Sequence, residues 1–225
     1  MSTEPPLPRN APIDATGIWA QVLRPPPGGA PRPALFLDRD GTMVEEVEYL
    51  HRVEDVRWIA GAPRVVAEAN RRGVAVVIAT NQAGVGRRYF GWEAFAAVQE
   101  KIVHDLAEDG AFVDAVYACP HHGEAKAPYD HPSHPARKPN PGMLLGAVGD
   151  LGLDVARSWI IGDRAGDIEA GLRAGIAGGL HVLSGHGADS GERQAASALA
   201  GDGFRVLAGT TIADALERVP LFASD

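Results

Sequence analysis

At 225 residues, 45% of them hydrophobic, the chain fits one ordinary domain with a filled core and no large apolar surplus. No apolar run approaches the ~18 residues of a membrane helix, and the opening MSTEPPLPRN lacks the basic and apolar segments of a signal peptide. A net charge of −8 disfavours nucleic acid and membrane surfaces as partners, so any anionic substrate must be met by local cations and a metal. The single cysteine, Cys119, allows no internal disulfide, and a cytoplasmic monomer is expected.

Residues 1–33 hold nine of the 17 prolines, including Pro25-Pro26-Pro27 before Gly28-Gly29, and cannot form a regular helix or an interior strand. They read as an arm, within which residues 18–23 either dock through Trp19 or stay a flexible leader. Residues 34–225 read as the folded domain. There, continuously apolar strands are expected at 34–38, 74–80, 113–119, 158–163, 180–183 and 204–207, with helices at 63–72, 92–108, 143–151, 167–174, 192–200 and 212–219. This alternation predicts an α/β fold, a doubly wound (Rossmann-like) parallel sheet with ligands at the carboxyl ends of its strands. Neither a Walker-type loop nor a GxGxxG follows a strand, which excludes the usual nucleotide cradles.

Polar groups concentrate where the strands end. The first expected strand runs into Asp38-Arg39-Asp40-Gly41-Thr42, and the second finishes in Thr80-Asn81-Gln82. Arg137-Lys138-Pro139 follows the third strand, and Gly162-Asp163-Arg164-Ala165-Gly166-Asp167 ends the next. Any one of these has an ordinary explanation as a turn or a solvated charge pair. All four in this order and at these strand ends are far more specific than any one alone.

The segments FLDRDGT, IATNQ, RKP and IGDRAGD resemble the four motifs of the haloacid dehalogenase superfamily and span residues 34 to 170. The resemblance implies a Mg²⁺-dependent phosphatase in which Asp38 is the nucleophile and Asp40 the general acid/base. It further implies that Mg²⁺ is held by the Asp38 carboxylate, the Asp40 carbonyl and Asp163, with Asp167 outside the direct ligand set. Thr80 and Asn81 would bind the transferring oxygens, and Lys138 would offset charge beside Asp38. Only about twenty residues separate Asp40 from the first helix, and again Cys119 from Pro139, so no cap domain is expected, only a short loop insertion.

NQAGVGRRYF, CPHH and RKPNPGML are similar to the D-glycero-D-manno-heptose 1,7-bisphosphate 7-phosphatases and their histidinol-phosphate phosphatase relatives. A small phosphorylated sugar is therefore the expected substrate and a phosphorylated amino alcohol the alternative, with Arg137 taking a second phosphate. In those families the loop commonly holds zinc through two pairs of ligands. Cys119 and His121 match the first pair, but His134 and Ala136 stand where the second would be two cysteines. Cys119, His121, His134 and His131 could still hold zinc. The alternative, which is favoured, is a loop stiffened by its four prolines whose histidines are solvated or contact substrate. Two other readings compete: a polynucleotide 3′-phosphatase, against which the acidic balance counts, and a non-catalytic phosphate-binding scaffold, against which all four motif residues count.

Overall fold

The computed structural model describes residues 12–26 and 28–223. Strand β2 (Ala34–Leu37) is fully buried on both faces and can sit only in the middle of a sheet covered on both sides. β3 (Ala75–Asn81) and β5 (Trp159–Gly162) flank it in parallel. Outward from β3 lie β4 (Ala115–Cys119), parallel, and β1 (Trp19–Val22), antiparallel; outward from β5 lie β6 (Gly178–His181) and β7 (Arg205–Ala208), both parallel. The sheet order is β1-β4-β3-β2-β5-β6-β7. The chain thus winds one way from β2 to β4 and then returns to wind the other way from β5, leaving a switch point between β2 and β5.

Alternating side chains assign each strand's residues to two cores. Leu35 and Leu37 pack with α1 (Ala62–Arg71) and α3 (Trp92–Glu108), joined by the short α7 (Ala215–Arg218). Ala34 and Phe36 pack with α4 (Gly142–Leu151), α5 (Ala165–Ala174) and α6 (Glu192–Ser197) on the other face. The four-residue helix α2 (Ala83–Gly86) lies between β3 and α3. Residues 38–61 form a loop closed by a Val44–Trp58 bridge, and no cap domain is present among the described residues. No helix among them is long and apolar enough to cross a membrane.

Several elements differ in extent from the sequence reading. The strand expected at 180–183 lies at Gly178–His181, because Gly178 and Gly179 are places of close approach rather than a turn. A Cβ on Gly178 would sit 2.7 Å from the Trp159 ring, and one on Gly179 would press on Ile168 at 3.0 Å. The last helix begins as a 3₁₀ turn at Ile212–Asp214, and α6 stops at Ser197. Of the two readings of residues 18–23, docking is the one observed. β1 occupies the edge, where proline-rich flanks are tolerated, and Trp19 is buried against Trp92 and Phe95 with ring centroids at 5.6 and 5.2 Å. Trp19→Ala should cost about 3 kcal/mol, the low end for aromatic truncation in a core, read as a lowered urea midpoint at unchanged slope. A loss below ~0.5 kcal/mol, the size of ordinary surface substitutions, would show that β1 adds nothing to the folded unit.

Candidate active site

Because β2, β3 and β5 are neighbours and parallel, their carboxyl ends open on one side of the sheet. Asp38 follows β2, Asp163 follows β5, and Thr80 and Asn81 close β3. Asp167 lies in the first turn of α5, four residues after Asp163. Lys138 reaches in from the loop after β4, its Nζ 2.6 Å from Asp38 Oδ1 and 2.6 Å from Asp167 Oδ1. Lys138, Asp38, Asp163 and Asp167 are all buried, Asp38 at 8% exposure being the most open of them.

Asp38, Asp163 and Asp167 bring one carboxylate oxygen each within 4.8 Å of one another, and no other such set of three His, Cys, Asp or Glu occurs among the described residues. Burial pushes the Asp38 carboxyl well above the ordinary range, with Asp167, Asp163 and Asp40 adding to the effect and Lys138 opposing it. Burial and then Asp167 raise Asp163 to about 6. Burial alone would lower Lys138, but Asp167 and Asp38 hold it raised. Three carboxylates against one ammonium leave a charge deficit that a hard, oxygen-seeking divalent cation fits. Sequence reasoning kept Asp167 apart from the ligands, whereas here its carboxylate converges with the other two. Space for the cluster comes from two glycines: a Cβ on Gly41 (φ +81°) or on Gly185 (φ +56°) would collide with the Asp163 carboxylate. The backbone amide of His186 donates to that carboxylate at 2.7 Å.

Asp40 is turned the other way. Arg39 Nε lies 3.1 Å from each of its carboxylate oxygens, and Gln82 Nε2 donates to Oδ2 at 2.9 Å. The Thr80 hydroxyl lies 3.5 Å from Asp40 Oδ2 and accepts from Gln82 at 2.9 Å. Arg39 is wholly buried, its guanidinium 5.2 Å from the Phe95 ring centroid. The holding roles of Arg39 and Gln82 escaped sequence reasoning, since nothing in DRDGT or TNQ says which neighbour turns toward Asp40. Asn81, expected to grip transferring oxygens, is otherwise engaged. Its amide donates to the Lys138 carbonyl and accepts from the Lys138 amide, both at 3.1 Å, so it fixes the lysine's backbone.

Above these groups opens a cleft of about 660 Å³ whose rim includes Glu46, Tyr49, His122, Arg137, Arg164 and His186. Arg137 donates to the His121 carbonyl at 2.9 Å while lining the cleft. Arg87 ties two rim segments together by bonding the Tyr49 hydroxyl and, at 2.6 Å, Glu124. The four residues considered for zinc do not converge in the way the acidic triad does. His121 and His134 stack face to face at 3.8 Å, His121 Nε2 donates to the Thr16 carbonyl at 2.8 Å, and His134 Nδ1 accepts from the Ala136 amide at 3.2 Å. His131 stands edge-on to His134 at 5.4 Å, and burial pushes the Cys119 thiol up to about 11.

The haloacid dehalogenase-like hydrolase family model matches residues 56–175, and a second, overlapping hydrolase-like model matches 135–217. A D-glycero-beta-D-manno-heptose-1,7-bisphosphate 7-phosphatase of Mesorhizobium japonicum is 44% identical over 171 residues, 76% of this chain and 79% of the relative. The enzyme of the same name from Photorhabdus laumondii is 38% identical over 165 residues, 73% of this chain and 88% of the relative. Among solved structures, the D,D-heptose 1,7-bisphosphate phosphatase of B. bronchiseptica, complexed with magnesium and phosphate, superposes with a TM-score of 0.69 at 29% identity, covering 85% of this chain and 99% of that one. With the strand-end motifs brought together as described and relatives of this similarity, the chain belongs to the haloacid dehalogenase-like hydrolase family and is a phosphoric monoester hydrolase.

Proposed function

We propose that this protein removes the 7-phosphate of D-glycero-D-manno-heptose 1,7-bisphosphate through an aspartyl-phosphate at Asp38. The observation that carries the reading is the buried Asp38 carboxylate, held at 2.6 Å by Lys138 and opening onto the cleft at the strand switch point. Asp38 attacks phosphorus as the bond to the sugar oxygen breaks, and Asp40 gives that oxygen its proton. Water then attacks the acyl phosphate, Asp40 takes the water's proton, and phosphate leaves with the Asp38 carboxylate restored. Thr80 and the Lys138 ammonium lie where the charge of the transferring group develops. Asp38, Asp163 and the Asp40 carbonyl would hold Mg²⁺, with Asp167 beside them; when bound, the ion supplies positive charge to the phosphoryl oxygens.

The choice of a bisphosphate rests on the rim, where Arg137 and Arg164 place two guanidiniums on a chain whose net charge is −8. The curated relatives named for the β anomer support the same substrate class. A cytoplasmic monomer remains our reading, in keeping with one free, buried cysteine.

The nucleophile and the acid/base should separate on substitution. Asp38→Asn is expected to abolish turnover, and Asp40→Asn to lower kcat roughly 10²–10⁴-fold while substrate still binds; phosphate release from Asp38→Asn within tenfold of the parent would overturn the mechanism. A second phosphate should raise kcat/KM about ten- to a hundredfold over the matching heptose 7-phosphate, as charge-assisted hydrogen bonds to Arg137 would. Arg137→Ala should erase that preference and largely spare the monophosphate; equal efficiencies in the parent would count against the assignment, and both anomers belong in the assay. Activity should vanish with EDTA, return with Mg²⁺ and survive a zinc-selective chelator. One tightly held zinc per chain by elemental analysis would contradict the last expectation, because His121 and His134 are already engaged with each other and with the backbone.

A further inference from the structure

The segment just before β1 makes contacts that the reaction does not require. Asp14 closes a tight turn: its Oδ1 accepts from the Thr16 amide at 2.8 Å, the Thr16 hydroxyl at 2.6 Å and the Ile18 amide at 3.1 Å. Backbone bonds from Gly17 to Asp14 and from Asp14 to Ile18 complete it. Gly17 sits at φ +81° against the Tyr129 ring, where a Cβ would come 2.7 Å from a ring carbon. Tyr129 belongs to the loop after β4, and its hydroxyl accepts from Trp92 Nε1 at 3.2 Å, beside the docked Trp19.

The turn points the Thr16 carbonyl at His121. His121 Nε2 donates to it at 2.8 Å, the ring stacks flat on His134, and the His121 backbone carbonyl accepts from Arg137 at 2.9 Å. The His134 carbonyl in turn accepts from the Arg137 amide at 2.9 Å. His121 is 5% exposed and His134 9%, so the stack is a packed unit, not a pair of waving side chains. A continuous series of short contacts therefore runs from Asp14 through Thr16 and His121 to both the backbone and the guanidinium of Arg137.

We infer that the Asp14–Ile18 turn is a positioning element for substrate: by clamping His121 through the Thr16 carbonyl, it holds Arg137 where the second phosphate of a bisphosphate arrives. The inference rests on the proposed role of Arg137. The turn touches neither the substrate nor the acidic triad, and it leaves Asp38, Asp40 and Lys138 as they are. Its loss frees an arginine that must then be ordered by each incoming substrate, which raises KM for the bisphosphate and leaves the chemical step alone.

The test compares the parent, Asp14→Ala, Asp14→Asn and Arg137→Ala on heptose 1,7-bisphosphate and heptose 7-phosphate, with thermal melting measured alongside. Asp14 is exposed, so its truncation threatens no core. Asp14→Ala should raise KM for the bisphosphate roughly three- to tenfold, the size of one ordinary hydrogen bond, with kcat and all monophosphate constants unchanged. Asp14→Asn, which keeps an oxygen able to accept the same three bonds, should restore the parent KM. An unchanged bisphosphate KM in Asp14→Ala, while Arg137→Ala loses the bisphosphate preference, would overturn the positioning role and spare the substrate assignment. Equal losses on both substrates, tracking a lowered melting temperature, would reduce the turn to general stability and overturn it likewise. No preference for the bisphosphate in the parent would instead remove the reading on which the inference stands.

Discussion

Three carboxylates buried around one ammonium are the constraint on which the rest of this structure depends. Removing an ionised carboxylate from water is costly unless it is paired and hydrogen-bonded. Here Lys138 serves Asp38 and Asp167 at once, at 2.6 Å each, and Asp163 has a backbone amide in place of a cation. The site is therefore short of positive charge by construction. That shortage is what makes it receptive to a divalent cation, which neutralises carboxylates that the fold has left unpaired and so lets an anionic phosphate ester approach them.

Maintaining such a cluster demands geometry from distant parts of the chain. Asp38 and Asp163 are adjacent only because β2 and β5, more than a hundred residues apart in sequence, pair in parallel at the switch point. Lys138 enters from a loop with no regular structure, so its placement is entrusted to Asn81, whose amide bonds both backbone groups of the lysine. Asp40 is held away from that lysine by the buried Arg39 and Gln82. Lys138 and Asp40 thus each have neighbours that orient them, and those neighbours lie inside the same motifs.

The rim follows a different logic. It is built from the segments that follow β2 through β6, and its cross-links run from loop to loop: Arg87 to Tyr49 and Glu124, Arg137 to the His121 carbonyl, Thr16 to the His121 ring. With no cap domain among the described residues, such cross-links are what give an open cleft a defined shape. The acidic cluster and the rim are consequently separable layers, the first held by the parallel sheet and the second by loop-to-loop contacts.

The sequence by itself determined where the polar side chains of the site gather, because they stand at or after the ends of apolar runs that can only be buried strands. Asp38, Asp40, Thr80, Lys138 and Asp163 are legible on that ground, as is the parallel α/β alternation. Only the tertiary structure decided which atoms face which. Asn81 turned out to hold a backbone, Asp167 to converge with the other carboxylates, and Gly178-Gly179 to be strand rather than turn, since each outcome depends on a neighbour remote in sequence. The proline-rich arm shows the same limit most plainly. Its composition forbids an interior strand but is silent about an edge, and it is the exposed flank of β4, together with the gap beside Trp92 and Phe95, that gives Trp19–Val22 a place in the sheet.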